Sequence, residues 1–187
     1  HDKKANGLVG LAKVLQVSSN VGMVRAMGRM KTDVYWDWMN RLEIDQRPDT
    51  DLPGAVAGQL KSKEQFITNP IEPATTAFGQ GFALTPLKLV QLHAVLANGG
   101  RMVSPHITRG FRSGGALAPP ASPSGRKLLS PEVAATVLSW MESVVEQGSG
   151  VGVKTPGYRI GGKTGTAQKA LNGIYLPGAK ICSFVAT

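Results

Sequence analysis

A single cysteine, Cys182, stands in 187 residues. One thiol excludes an internal disulfide and any cysteine-rich metal site, and its expected place is the core. No apolar run reaches the roughly 18 uninterrupted residues of a membrane-spanning helix. No basic-plus-apolar leader opens the chain, which begins at His1-Asp2 without methionine. Acidic side chains are scarce: 12 Asp and Glu face 21 Lys and Arg, a net charge of +9. The basic residues are scattered, and no Arg/Lys stripe interleaves with aromatics. That pattern argues against a nucleic-acid partner and for a solvated basic surface facing anionic surroundings such as a membrane or cell wall. No aspartate occurs after Asp51, and there is no internal repeat.

What is present fits a folded globular chain of one or two domains, with 42% hydrophobic and 18% charged residues. Twenty-three glycines and twelve prolines point to many turns. Leu8, Leu11, Ala12 and Leu15 share one helical face over residues 7–16. Ser18-Ser19-Asn20 breaks that helix and offers side-chain oxygens to cap the next, about 21–30. A third helix over about 32–43 carries Tyr35, Trp36, Trp38 and Met39 as core or groove lining. Residues 45–80, with Pro48, Pro53, Pro70 and Pro73, read as a long irregular segment.

Thr85-Pro86 starts a strong helix that stops at Gly99-Gly100. Arg101 to Thr108 reads as extended, and the Gly/Pro/Ser/Ala-rich stretch 112–127 as a mobile loop. Ser130-Pro131 repeats the helix-start signal, with Val133, Val137, Trp140 or Met141, and Val144 at helical spacing. After Gly148 and Gly150 the pattern turns extended, with Asn172-Gly173 as a hairpin signal. The expected architecture is α+β: a helical region over about 1–150 and a sheet-forming hairpin over about 157–187.

The chemistry-bearing run is Gly161-Gly162-Lys163-Thr164-Gly165-Thr166. It satisfies a phosphate-loop pattern, Gly157-x-x-x-x-Gly162-Lys163-Thr164. That loop requires a buried strand before it, a docking helix after it and a later magnesium-holding Asp. Lys154 and Pro156 make a poor central strand, Gly165 and Gly173 interrupt the following residues, and the aspartate is missing. The alternative is a strand edge. There Lys163, Thr164 and Thr166 supply positive charge and hydroxyls suited to a carboxylate, while Gly165 lets a peptide-like ligand lie close to the backbone.

Ser18-Ser19-Asn20 reads as Ser-x-Asn, and Lys163-Thr164-Gly165 as a later Lys-Thr-Gly. This pair, in this order, resembles the penicillin-binding serine transpeptidases and their β-lactamase relatives. Ser18-Ser19-Asn20-Val21-Gly22, Phe78-Gly79-Gln80-Gly81-Phe82, Thr85-Pro86-Leu87 and Ala97-Asn98-Gly99-Gly100 resemble the class B high-molecular-weight members of the cell-division type.

The resemblance implies the penicillin-binding/serine β-lactamase-like fold, incomplete here, as a helical part plus the start of an antiparallel sheet. It implies a D,D-transpeptidase that cross-links peptidoglycan stem peptides through a serine acyl-enzyme, with no metal or organic cofactor. Ser18, Asn20 and Lys163 are the implied catalytic residues: Ser18 relays a proton, Asn20 bonds the substrate amide, and Lys163 adds positive potential. Thr164, Gly165 and Thr166 are the implied substrate-binding residues, with the Thr166 N–H in the oxyanion hole. Implied partners are stem peptides, β-lactams and membrane proteins of the division machinery. The implied location is the outer face of the bacterial cytoplasmic membrane, with the anchor outside this chain.

The family's Ser-x-x-Lys nucleophile motif lies some fifty residues before Ser-x-Asn, where only 17 residues stand here. The literal match Ser124-Gly125-Arg126-Lys127 falls in the Pro/Gly-rich loop and is read as chance. The nucleophile is therefore expected outside this chain, and the isolated fragment is expected to be inactive. A non-catalytic binding fragment, a D,D-carboxypeptidase and a β-lactamase are the alternatives, with a phosphate-loop NTPase more remote.

Overall fold

The computed structural model describes residues 2, 6–118, 125–171 and 174–187. Seven helices are described: α1 (Leu11–Gln16), α2 (Asn20–Met27), α3 (Thr32–Arg41), α4 (Lys63–Thr68), α5 (Ile71–Thr76), α6 (Pro86–Ala97) and α7 (Pro131–Gln147). Six strands form three antiparallel pairs: β1 (Arg101–Met102) with β4 (Arg126–Lys127), β2 (Phe111–Ser113) with β3 (Ala116–Ala118), and β5 (Gly162–Leu171) with β6 (Ile174–Ala186). The mixed helix-and-strand architecture agrees with the α+β expectation. Asn172-Gly173, the expected hairpin turn, lies outside the described residues.

The two Pro-started helices follow their signals. Thr85 Oγ1 accepts from the Lys88 N–H at 3.1 Å, and Ser130 Oγ accepts from the Val133 N–H at 3.3 Å. Each hydroxyl satisfies one of the orphan donors of a first helical turn. Past α6, Gly99 and Gly100 take φ of 61° and 87°, the left-handed geometry that ends a helix.

Elsewhere tertiary packing corrects the sequence reading. Residues 45–80 are not wholly irregular. Ser62 and Gln65 form a capping box that starts α4, and Phe66 packs edge-on against Tyr35, ring centroids 5.3 Å apart. In α5, Pro73 occupies the first turn, where its missing N–H breaks no intrahelical bond. In the described part of 112–127, Gly114 and Gly115 take φ of 57° and 86° and turn β2 into β3, and Arg126–Lys127 forms β4; residues 119–124 lie outside the described residues. Of 101–108, read as a strand or extended connection, only β1 is strand. Its continuation is tethered instead by the Asp51 carboxylate, which accepts from the Ile107 and Thr108 N–H groups at 2.8 Å each.

The buried stripe of α7 is Ala134, Met141, Val144 and Val145, with Val133 exposed. The helix is rotated from the expected face because it packs at once against α1, α6 and β5. Tyr35 and Met39 of α3 join Ile44 and Phe66 in one core; Val95, Met102 and Leu128 form another.

Between these cores Lys88 is fully buried, and its Nζ makes no hydrogen bond among the described residues. Its nearest anion is Glu43 Oε2 at 3.8 Å, while Glu43 Oε1 accepts from Arg126 at 2.7 Å. Burial pushes the Lys88 ammonium below the ordinary lysine range, and Glu43 opposes that shift. With the folded value below the unfolded 10.5, the unfolded state binds more protons between the two, so stability rises with pH in that window.

Glu43→Gln removes the compensating charge. In urea unfolding it is expected to destabilise by about 2–3 kcal/mol, less than a fully buried broken pair because Glu43 is partly exposed. Lys88→Met is expected to be neutral or stabilising. Unchanged stability in Glu43→Gln would show that Arg126, not Lys88, is its principal partner.

Candidate active site

In the Ser18-Ser19-Asn20-Val21-Gly22 run, Ser18 and Ser19 lie in the turn between α1 and α2, and Asn20, Val21 and Gly22 form the first turn of α2. Ser19 is buried, its Oγ accepts from the Gly22 N–H at 2.9 Å, and the same hydroxyl donates to Asp2. The capping expected of this tripeptide therefore falls to its middle residue. A Cβ on Gly22 would lie 2.7 Å from the Val14 methyls, so glycine lets α2 pack closely on α1. Ser18 is held at φ 56° by bonds from its own N–H to Leu15 O (3.1 Å) and from Ser19 N–H to Val14 O (3.0 Å). Left-handed backbone is uncommon and strained for a non-glycine residue, and such strain concentrates at functional sites. Here it leaves the Ser18 hydroxyl exposed and free of capping.

Strand β5 begins at Gly162 because two glycines permit a close passage. Cβ atoms would lie 3.0 Å from Leu138 Cδ1 at Gly161 and 2.4 Å from Phe184 Cζ at Gly162. The run continues as strand past Lys163, so no helix N-terminus follows the lysine, and the phosphate-loop geometry is absent.

Backbone parity places the remaining groups. Gly161 and Thr187 exchange both hydrogen bonds at 2.8 Å, so they are a hydrogen-bonded pair, and pairs alternate from there. In the observed register Lys163↔Val185 and Gly165↔Ser183 are hydrogen-bonded pairs, while Thr164↔Phe184 and Thr166↔Cys182 are not. The Thr164 and Thr166 N–H and C=O groups therefore point away from β6, along the edge of β5 that is open among the described residues.

The Lys163 side chain reaches that edge. Its Nζ donates to Ser18 Oγ at 2.7 Å, to Thr164 O at 2.9 Å and to Thr164 Oγ1 at 3.3 Å. All three ammonium protons are thus engaged by neutral oxygens. Without a carboxylate partner among the described residues, its positive potential stays available to an incoming anion. Burial lowers its pKa from the ordinary 10.5.

The other expected site residues are placed as follows. Asn20 opens α2, two residues from Ser18, and is exposed. Thr166 is exposed on β5. A Cβ on Gly165 would lie 2.7 Å from Ser183 Oγ, so the glycine makes room for the opposite strand's hydroxyl. Of the literal Ser-x-x-Lys match, Ser124 lies outside the described residues. Arg126 and Lys127 belong to β4, and Arg126 is held by Arg41 O and Glu43. Cys182 is exposed, contrary to the core position expected for it. It sits mid-way along β6, which pairs only with β5 among the described residues.

Sequence reasoning missed Ser149, whose Oγ lies 3.0 Å from Thr164 Oγ1. A serine between two glycines after a helix reads as a stop signal, and nothing in its pattern distinguishes it from one.

The chain is similar to known proteins. Residues 1–187 match the penicillin binding protein transpeptidase domain. A peptidoglycan D,D-transpeptidase FtsI homolog of Mesostigma viride is 38% identical over 198 residues, covering 97% of this chain and 33% of the relative. Stage V sporulation protein D of Bacillus subtilis is 34% identical, covering 96% of this chain and 28% of the relative. The chain thus spans about a third of the length of these curated relatives. Among solved structures, Mycobacterium tuberculosis penicillin-binding protein 3 complexed with aztreonam aligns with TM-score 0.89 and 28% identity, over 100% of this chain and 44% of that one. The apo transpeptidase domain of Burkholderia pseudomallei penicillin-binding protein 3 aligns with TM-score 0.84 and 31% identity, over 99% of this chain and 54% of that one. With the match running from the Ser18 turn through the Lys163 strand, this chain belongs to the penicillin-binding protein transpeptidase domain family.

Proposed function

We propose that the protein carrying this chain is a peptidoglycan D,D-transpeptidase that cross-links stem peptides and is acylated by β-lactams. The observation that carries this reading is the 2.7 Å bond from Lys163 Nζ to Ser18 Oγ across 145 residues of sequence, beside a strand edge with outward N–H groups. A protonated lysine, a proton-relaying hydroxyl and an open donor edge are what acyl transfer at a peptide carboxyl terminus requires.

In this mechanism a serine from a segment outside this chain attacks the penultimate D-Ala carbonyl, its hydroxyl proton passing to the lysine three residues on in the same Ser-x-x-Lys motif. The new C–O bond forms as the peptide C–N bond breaks, and D-Ala departs as an amine. Ser18 passes that amine a proton, drawing on the Lys163 ammonium that already donates to its Oγ. The Thr166 N–H faces the developing oxyanion. Thr164 and Thr166 hydroxyls hold the terminal carboxylate, with Lys163 adding charge. Asn20 bonds the substrate amide. An amino group of a neighbouring stem peptide then takes the acyl group and releases the serine.

The FtsI-named and sporulation-protein relatives support a place in septal wall synthesis. The accompanying proposals are a catalytic domain on the outer face of the cytoplasmic membrane and contacts with membrane proteins of the division machinery. No described helix is long and apolar enough to cross a membrane.

Fluorescent penicillin tests the reading. The full-length protein is expected to be labelled covalently in denaturing gels, and the 187-residue chain alone is not. An unlabelled full-length protein would overturn the proposal; a labelled fragment would show that the nucleophile lies within this chain.

A further inference from the structure

The turn after α7 ties the two walls of the cleft together. The Ser149 N–H donates to Gln16 O at 3.2 Å, two residues before Ser18. The Ser149 hydroxyl meets Thr164 Oγ1 at 3.0 Å. Its neighbours fix this position. A Cβ on Gly148 would lie 2.3 Å from Gln16 O, and one on Gly150 would lie 3.3 Å from Phe184 Cε2, so each glycine lets the turn close on one wall. The Gly150 N–H, bonded to Val144 O at 2.9 Å, anchors the turn to α7. Gln16 itself is buried and donates to Ser143 O at 3.4 Å, also on α7.

The four polar groups form one chain: Ser18 Oγ, Lys163 Nζ, Thr164 Oγ1 and Ser149 Oγ. A hydroxyl has one proton and two lone pairs, while an ammonium can only donate. Thr164 therefore accepts from Lys163. If Ser149 fills its second lone pair, the only group left on Thr164 is its proton, directed at whatever arrives along the open edge. An arriving carboxylate is the matching ligand, since it only accepts.

We infer that Ser149 is a positioning residue for carboxylate recognition: it orients the Thr164 hydroxyl so that its proton is offered to a substrate or β-lactam carboxylate. This rests on the transpeptidase reading and adds to it a residue that does not itself touch the reacting atoms. Removing Ser149 Oγ leaves the Thr164 hydroxyl free to turn, which weakens its bond to the anion and leaves the acyl-transfer groups in place.

The test compares two probes on the full-length protein, benzylpenicillin with its free carboxylate and its methyl ester. Ser149→Ala is expected to lower the second-order acylation constant about fivefold for the acid, the scale of one neutral hydrogen bond, and to leave the ester within about twofold. Ser149→Thr, which keeps the hydroxyl, is expected to restore the acid. Equal losses on both probes would assign Ser149 a merely structural role and overturn the inference, as would no loss on either. A wild-type protein that neither probe acylates would overturn the transpeptidase reading itself, a distinguishable result. Should Ser149→Ala fail to fold, Ser149→Cys keeps the shape with a weaker hydrogen bond and carries the same comparison.

Discussion

Lys163→Ala is expected to reduce penicillin acylation of the full-length protein by about 10³-fold. Two losses combine. The ammonium supplies the site's fixed positive charge beside the open edge of β5, and preorganised groups of this kind are worth about 10²–10³ each. It also holds Ser18 Oγ at 2.7 Å and Thr164 O at 2.9 Å, so its removal lets the relay hydroxyl wander. Misplacing such a group costs rate even where the group survives. The measurement is the second-order acylation constant, with thermal unfolding as a control for folding. Near-normal labelling would remove Lys163 from the mechanism.

The pH profile of the wild type gives an independent check. Burial lowers the Lys163 pKa from 10.5, and the protonated form is the one that attracts an anion. Acylation is therefore expected to fall as pH rises through a value below 10.5. In Lys163→Arg that alkaline limb should disappear, because a guanidinium stays charged. A limb that persists in the arginine variant belongs to another group.

Ser18→Gly is expected to move activity and stability in opposite directions. Acylation should fall about 10²–10⁴-fold, the range for losing a positioned proton-transfer group. Stability should rise by about 0.5–1 kcal/mol, because glycine adopts φ 56° without the left-handed penalty that serine bears. Ser18→Ala separates the two effects: it keeps the strain and loses the hydroxyl, so its activity should fall equally while its stability stays level. A Ser18→Gly protein that is both less active and less stable would show that the turn, rather than the hydroxyl, is what Ser18 provides.

Local signals were legible wherever one residue's chemistry decides the outcome. Thr85-Pro86 and Ser130-Pro131 start helices because a hydroxyl and a ring preset for the first turn suffice, and Gly99-Gly100 stops one because two positive φ values suffice. Phe66 was not legible as a core residue, since its burial depends on Tyr35 arriving from α3. The α7 stripe was misjudged by a small rotation. Helical spacing reports that a face exists, whereas the elements packed around the helix choose which one. Cys182 illustrates the same limit: a small apolar residue suits a core, but it lies on β6, which pairs only with β5 among the described residues, and is exposed.

The site divides along similar lines. Sequence alone singled out Ser18-Ser19-Asn20 and Lys163-Thr164-Gly165-Thr166 as the candidate site, because those residue types in that order suit anion binding and proton relay and resemble a family pattern. It also made the nucleotide-binding alternative remote, because the required aspartate is missing, and the strand that follows Lys163 removes it.

The family resemblance had already pointed to Ser18; the tertiary structure gives the physical reason, since the buried Ser19 caps α2 and the strained Ser18 meets Lys163. It alone decided that the Thr166 N–H lies on the open edge, a matter of pairing parity set by Gly161 and Thr187, and that Ser149 joins the cluster. The physical reason is range. Caps and turns are settled within a few residues of chain, whereas a 2.7 Å bond between residues 18 and 163 exists only when α1, α7 and β5 pack together.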